Sequence, residues 1–194
     1  PDLISKAIIK FGKDNIDLSN YALQACHHLS KIKQNRIFII RSGLLDSVIS
    51  AMKWHLKNEG IQSLGCLVLE RLSNKEQYQT ILGEKGGVEI LLMVIKRHDH
   101  DQNVLKNAFR ALSNVLLNNK ENKKIACTIE FIETLSVLML RFTDDLVLQT
   151  HGCIIYGLLA DNWYYTEDLI KVMPVVLGAM KLHLSKASLQ QGGC

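Results

Sequence analysis

The run His98-Asp99-His100-Asp101 carries residue types that ligate zinc and other transition metals, and Cys26-His27-His28 carries them again. Neither run has the spacing of a site. Consecutive residues on a helix point in different directions, so Cys26, His27 and His28 read as a core cysteine with outward-facing histidines. The aspartates at 99 and 101 stand where a turn and a helix N-cap are expected in any case. Gly83-Glu84-Lys85-Gly86-Gly87 is glycine-rich enough to suggest a phosphate cradle, yet it lacks the Lys-Ser ending and the preceding strand of a P-loop and reads as a helix connection. Lys120, Lys123 and Lys124 form a basic cluster without interleaved aromatics and read as the solvated face of a short outer helix. No Ser/His/Asp, Cys/His or paired-carboxylate set stands at a meaningful spacing. The sequence therefore predicts no catalytic activity, no metal site and no cofactor.

Of 194 residues, 47% are apolar and 22% charged, with two prolines and twelve glycines, which fits a helical chain rather than a disordered or turn-rich β one. The net charge of +4 is spread along the chain, so nucleic acid is permitted but not indicated. Five cysteines, at 26, 66, 127, 153 and 194, lack any CxxC pairing and read as reduced core residues. No apolar run approaches the roughly 18 residues of a membrane span. These features point to the cytosol or nucleus. Pro1 in place of Met suggests a piece of a longer protein.

A repeat near 43 residues organises the whole chain. Leu18-Ser19-Asn20-Tyr21-Ala22 aligns with Ile61-Gln62-Ser63-Leu64-Gly65, then with Val104-Leu105-Lys106-Asn107-Ala108, Leu148-Gln149-Thr150-His151-Gly152 and Leu189-Gln190-Gln191-Gly192-Gly193. Each unit pairs an aliphatic residue with Ala or Gly four positions on, which puts a small side chain on the helical face where another helix must come close. A second marker keeps step: Ala51-Met52-Lys53-Trp54-His55, Val94-Ile95-Lys96-Arg97-His98, Leu138-Met139-Leu140-Arg141-Phe142 and Ala179-Met180-Lys181-Leu182-His183. The units divide as a partial repeat over 1–31, repeats over about 32–74, 75–118 and 119–162, and a partial repeat over 163–194. Within the clearest unit, Gly86-Gly87 precedes a buried helix, Asp99 and Asp101 offer caps for a helix over 102–117, and a short segment starts near Lys120. Strand signals are absent.

Gly87-Val88-Glu89-Ile90-Leu91-Leu92, followed by Ala108-Phe109-Arg110-Ala111-Leu112-Ser113-Asn114-Val115, resembles the armadillo repeat, with its glycine before the second helix and its Ala-x-x-Ala-Leu-x-Asn-Leu third helix. The Met-Lys-x-His and Ile-Gln-x-x-Gly-Cys cadence also resembles the variant armadillo arrays of large multidomain signalling proteins, including leucine-rich-repeat kinases. The resemblance implies an all-α fold: a right-handed armadillo-type solenoid of three helices per repeat whose third helices line a concave groove. It implies a protein-protein interaction module that binds a partner protein or extended peptide there.

In such a groove the family asparagine replaces hydrogen bonds that an extended peptide loses on leaving water. Asn114 stands at that position, with His28, Arg71 and Leu158 at its equivalents. One turn earlier, where nuclear-import adaptors carry tryptophan, stand Gln24, Leu67, Arg110 and Ile154, which disfavours a nuclear-localisation-signal receptor. His28, Arg71, Lys106, Arg110 and Asn114 with Ile154 and Leu158 suit an acidic segment bearing an apolar anchor. Two other readings stand beside this: a regulatory array packed against a kinase or GTPase domain of the same protein, and a nucleic-acid-binding helical repeat. Trp54 and Trp163-Tyr164-Tyr165 are candidate exposed aromatics, with packing between repeats as the alternative for Trp54. Stacking surface left uncapped at the two partial repeats predicts self-association or partial fraying at one end.

Overall fold

The computed structural model describes residues 2–160, 166–183 and 185. Twelve helices and no strand are found among them: α1 (Asp2–Phe11), α2 (Ile16–Lys31), α3 (Lys33–Arg41), α4 (Leu44–Trp54), α5 (Glu59–Leu72), α6 (Glu76–Glu84), α7 (Gly87–Arg97), α8 (Gln102–Leu116), α9 (Lys120–Ala126), α10 (Ile129–Arg141), α11 (Leu146–Ala160) and α12 (Thr166–Leu182). The last repeat marker, Leu189 to Gly193, lies outside the described residues, as do Trp163, Tyr164, Tyr165 and Cys194.

Local chemistry starts most of the helices. Helices α2, α5, α8 and α11, of 14 to 16 residues, each follow an Asn or Asp whose side chain accepts from the first free backbone N–H groups. Asn15 accepts from Leu18 at 2.9 Å and Asn58 from Ile61 at 2.9 Å. Asp101 accepts from Asn103 and Val104 at 2.8 and 3.0 Å, and Asp145 from Val147 and Leu148 at 3.1 and 3.2 Å. Helices α4 and α7 begin differently, at Gly43 (φ 76°) and Gly86 (φ 84°), where the left-handed backbone favours glycine and turns the chain sharply.

The helices pack in two rows. Helices α2, α5, α8 and α11 lie each against the next; α1 packs on α4, α4 on α7, and α10 on α12. Between the rows runs one apolar core in which Leu45, Leu69, Leu91, Phe109, Leu112 and Leu135 are fully buried. Each such side chain contributes about 1.5–3 kcal/mol of transfer free energy. The small-residue position does what its spacing predicts. A methyl group added at Gly65 would collide with the Met52 sulfur, and one at Gly152 with the Met139 sulfur. The rows are also stitched by polar groups: Gln62 donates to the carbonyls of Met52 and His55, both at 2.9 Å, and Gln149 to those of Met139 and Phe142 at 2.8 and 2.9 Å.

The second sequence marker has a structural role too. His55 Nε2 donates to the Gly12 carbonyl at 2.7 Å, His98 Nε2 to Leu56 at 2.7 Å and His183 Nε2 to Thr143 at 2.8 Å. Each imidazole thereby ties the end of one helix to the corresponding turn of the preceding unit. Where Phe142 interrupts the series, Arg141 donates instead to the Asp99 carbonyl and carboxylate at 2.9 and 3.0 Å. Lys123 departs from the expected solvated face: Lys120 and Lys124 are exposed, but Lys123 is buried, because α9 packs through Asn122, Lys123 and Ala126. Cys26, Cys66, Cys127 and Cys153 are free thiols in the core. Burial pushes Cys26 and Cys153 up to about 11, which keeps both protonated and unreactive.

Candidate interaction face

The long helices turn one side to the core and a second to solvent. Cys26, Leu69, Leu112 and Tyr156 point inward. Four-residue spacing then puts Asn20, Gln24 and His28 on a common stripe of α2, and Ser63, Leu67 and Arg71 on one of α5. Lys106, Arg110 and Asn114 follow on α8, and Thr150, Ile154 and Leu158 on α11. All are half-buried except His28, which is exposed. That uniform intermediate exposure belongs to side chains that reach water while flanked by neighbouring helices.

Two of the cations expected there are already engaged. Arg71 Nη1 donates to His27 Nδ1 at 2.8 Å and to the His27 carbonyl at 3.2 Å, joining α5 to α2. Burial, and then the Arg71 charge, push His27 down to about 4, so the ring stays neutral and accepts. Lys106 pairs with Asp145 at 2.9 Å, and Asp145 also caps α11, so this one carboxylate both starts a helix and binds its neighbour. His28 lies 3.5 Å from the Lys31 ammonium through Nδ1 and meets the His27 ring edge-on.

Arg110 and Asn114 are placed differently. Among the described residues neither side chain has a hydrogen-bond or ion-pair partner, and the two lie one turn apart on α8. Arg110 is felt only at a distance: burial first, and then its charge, hold His151 at about 4. The Ser113 hydroxyl bridges the Arg110 carbonyl at 3.0 Å and His151 Nδ1 at 2.9 Å. On α11, Ile154 and Leu158 occupy the positions equivalent to Arg110 and Asn114, and Leu158 rests against the core.

Sequence reasoning missed the cross-helix partners. Asn107 donates to Ser63 Oγ at 2.7 Å, 44 residues away, as His27 lies 44 from Arg71. Polar pairs separated by one repeat length are the signal that would have found them. In the His98-Asp99-His100-Asp101 run, His98 is buried on Leu56, Asp99 bonds Arg141 and His100, and Asp101 caps α8. Among the described residues no three His, Cys, Asp or Glu side chains are grouped to hold a metal, and no helix is long and apolar enough to cross a membrane. Trp54 is half-buried, packs on the core and walls an open hollow of about 500 Å³ with Ile16, Leu56 and Arg97.

Comparison with known proteins agrees with this architecture. Protein aardvark of Dictyostelium discoideum is 28% identical over 85 residues, which is 42% of this chain and 11% of that protein's length. The chain thus corresponds to about a tenth of that relative. The family profile described as LRRK2 ARM repeat matches residues 3–194, nearly the whole chain. Armadillo-type repeats form an interaction fold rather than a catalytic one. On its repeat, its helices and this match, the chain belongs to the LRRK2 ARM repeat family.

Proposed function

We propose that the chain is a protein-interaction module, built as a right-handed solenoid of three helices per repeat, that binds an extended segment of a partner along the groove of α2, α5, α8 and α11. The helix pattern supports this division, since α3, α6 and α9 begin at 33, 76 and 120, next to the repeat boundaries read from the sequence. One observation carries the site: Arg110 and Asn114 stand unpartnered beside Ile154 and Leu158. A guanidinium with free donors takes a carboxylate, an amide takes both N–H and C=O of an extended backbone, and the aliphatic pair accepts an anchor side chain. The partner is an acidic extended segment with an apolar anchor. Arg71 and Lys106 border this site as structural clamps, and His28 extends it toward α2.

A second reading, a regulatory array resting on a kinase or GTPase domain of the same protein, draws on the likeness to multidomain signalling arrays. Nucleic acid fits less well, because Arg71 and Lys106 are engaged within the fold and do not form a continuous basic face. The test is a pull-down with the chain beside its Arg110→Glu/Asn114→Ala variant, after circular dichroism shows both equally helical. Capture by the first and loss by the second is the expected result. Equal capture would move the interface elsewhere, and no capture by either would favour the intramolecular array.

A further inference from the structure

Helices α7 and α10 face each other across a cleft of about 250 Å³, walled by Leu92, Met93, Phe131 and Thr134, with the Lys96–Glu130 ion pair at its mouth. Two sequence features open it. The residue that leads into α10 is Thr128 in extended backbone rather than a left-handed glycine, and α9 has 7 residues where α3 and α6 have 9. Thr134 also takes the place that buried Ile90 holds in α7, removing apolar bulk from the wall.

Size and charge restrict what can enter. Ligand pockets usually enclose roughly 300–1,000 Å³, so this cleft suits a single bulky side chain rather than a metabolite. Met93 is 44% exposed on one rim, and past the Lys96–Glu130 pair the cleft continues into an adjoining hollow that carries Val137, 52% exposed. That adjoining hollow is acidic. Glu133 has no partner among the described residues, and Glu130 is held by Lys96 in a pair whose side chains are both 70% exposed. Such a pair stabilises little and exchanges readily with an incoming cation. Asp99 is neutralised by Arg141 at the far end.

We propose that the α7–α10 cleft docks a partner segment presenting one bulky apolar side chain flanked by lysine or arginine. The apolar side chain enters between Met93 and Phe131 while the flanking cations meet Glu133 and Glu130. This site lies on different helices from Arg110 and Asn114 and selects the opposite charge, so it goes beyond the groove reading and stands without it.

The test uses methyl-¹³C-methionine spectra of the chain, with the Met93 resonance assigned through Met93→Leu. It is titrated with acetyl-Lys-Lys-Ala-Phe-Ala-Lys-Lys-amide, with the same peptide carrying Ala for Phe, and with one carrying Glu for every Lys. The expected result is a saturable shift of the Met93 methyl with the first peptide alone. Glu133→Lys should weaken this binding about fivefold, the scale of one exposed charge pair turned repulsive, without changing the melting curve. Arg110→Glu should leave it unaltered. An unmoved Met93 at millimolar peptide, or an equal response to the glutamate peptide, would overturn the proposal. So would a Met93 shift on concentrating the chain alone, which would assign the cleft to a second copy.

Discussion

Helices α7 and α10 hold the same place in successive units, yet α7 packs against α4 while α10 stands off from α7. Their apolar content does not explain this. Helix α7 buries Val88, Ile90, Leu91, Val94 and Ile95, and α10 buries Phe131, Ile132, Leu135, Leu138 and Met139. The turns differ instead: Gly86 at φ 84° swings α7 onto its predecessor, whereas Thr128 at φ −120° leads α10 in along extended backbone. Stacking in this array is thus governed at the entry to a helix, where one backbone conformation sets the direction of everything that follows.

The comparison breaks most severely inside the packed unit. Leu91→Ala, at a fully buried site, should cost about 2–5 kcal/mol, while Met93→Ala on the open rim should fall within about 0.5 kcal/mol of the parent, as urea unfolding would register. The turns themselves give a smaller contrast. Gly86→Ala forces a side chain into left-handed backbone and should cost about 1–2 kcal/mol, whereas Thr128→Gly gives up only a cap and should cost a few tenths. Equal effects at the two turns in thermal melts would end the account given above.

The smallest effect separates the two ends of the long-helix row. His27 joins α2 to α5 and His151 joins α8 to α11, and both are held at about 4 against an ordinary 6.5. The unfolded chain takes up these protons near pH 6.5 and the folded chain only near pH 4. Stability is therefore full above pH 6.5 and is lost as pH falls toward 4. Solvent contact reduces the size of the loss. Melting curves across that window should slope less in His27→Gln and in His151→Gln, each variant removing its own share.

Much of this fold was legible because a repeat states each rule several times. The small residues at 22, 65, 108 and 152, the cap at Asp101, the helix break at Gly86-Gly87 and the core cysteines all followed from spacing and side-chain size. The choice of Arg110 and Asn114 came from their match to family positions on the armadillo third helix. Less was legible where the controlling partner lies one repeat away. Nothing adjacent to Arg71 announces His27, nothing near Lys106 announces Asp145, and Lys123 turns inward with Asn122 and Ala126 on the face through which α9 packs. The cleft at α10 escaped for a related reason: it comes from a missing glycine, and absence at a position gains meaning only when neighbouring units are laid beside it.

The imidazole bonds between successive units bear on mechanics. Pulled lengthwise, the stack loads His55, His98 and His183 as a row of like rungs, with load passing only between neighbours. The rung between α7 and α10 differs in kind, a guanidinium reaching Asp99 with both side chains close to half-exposed, where water competes for every bond as it does at the exposed His183 rung. Tension along the array would be released at these two wet joints before the part-buried rungs at His55 and His98.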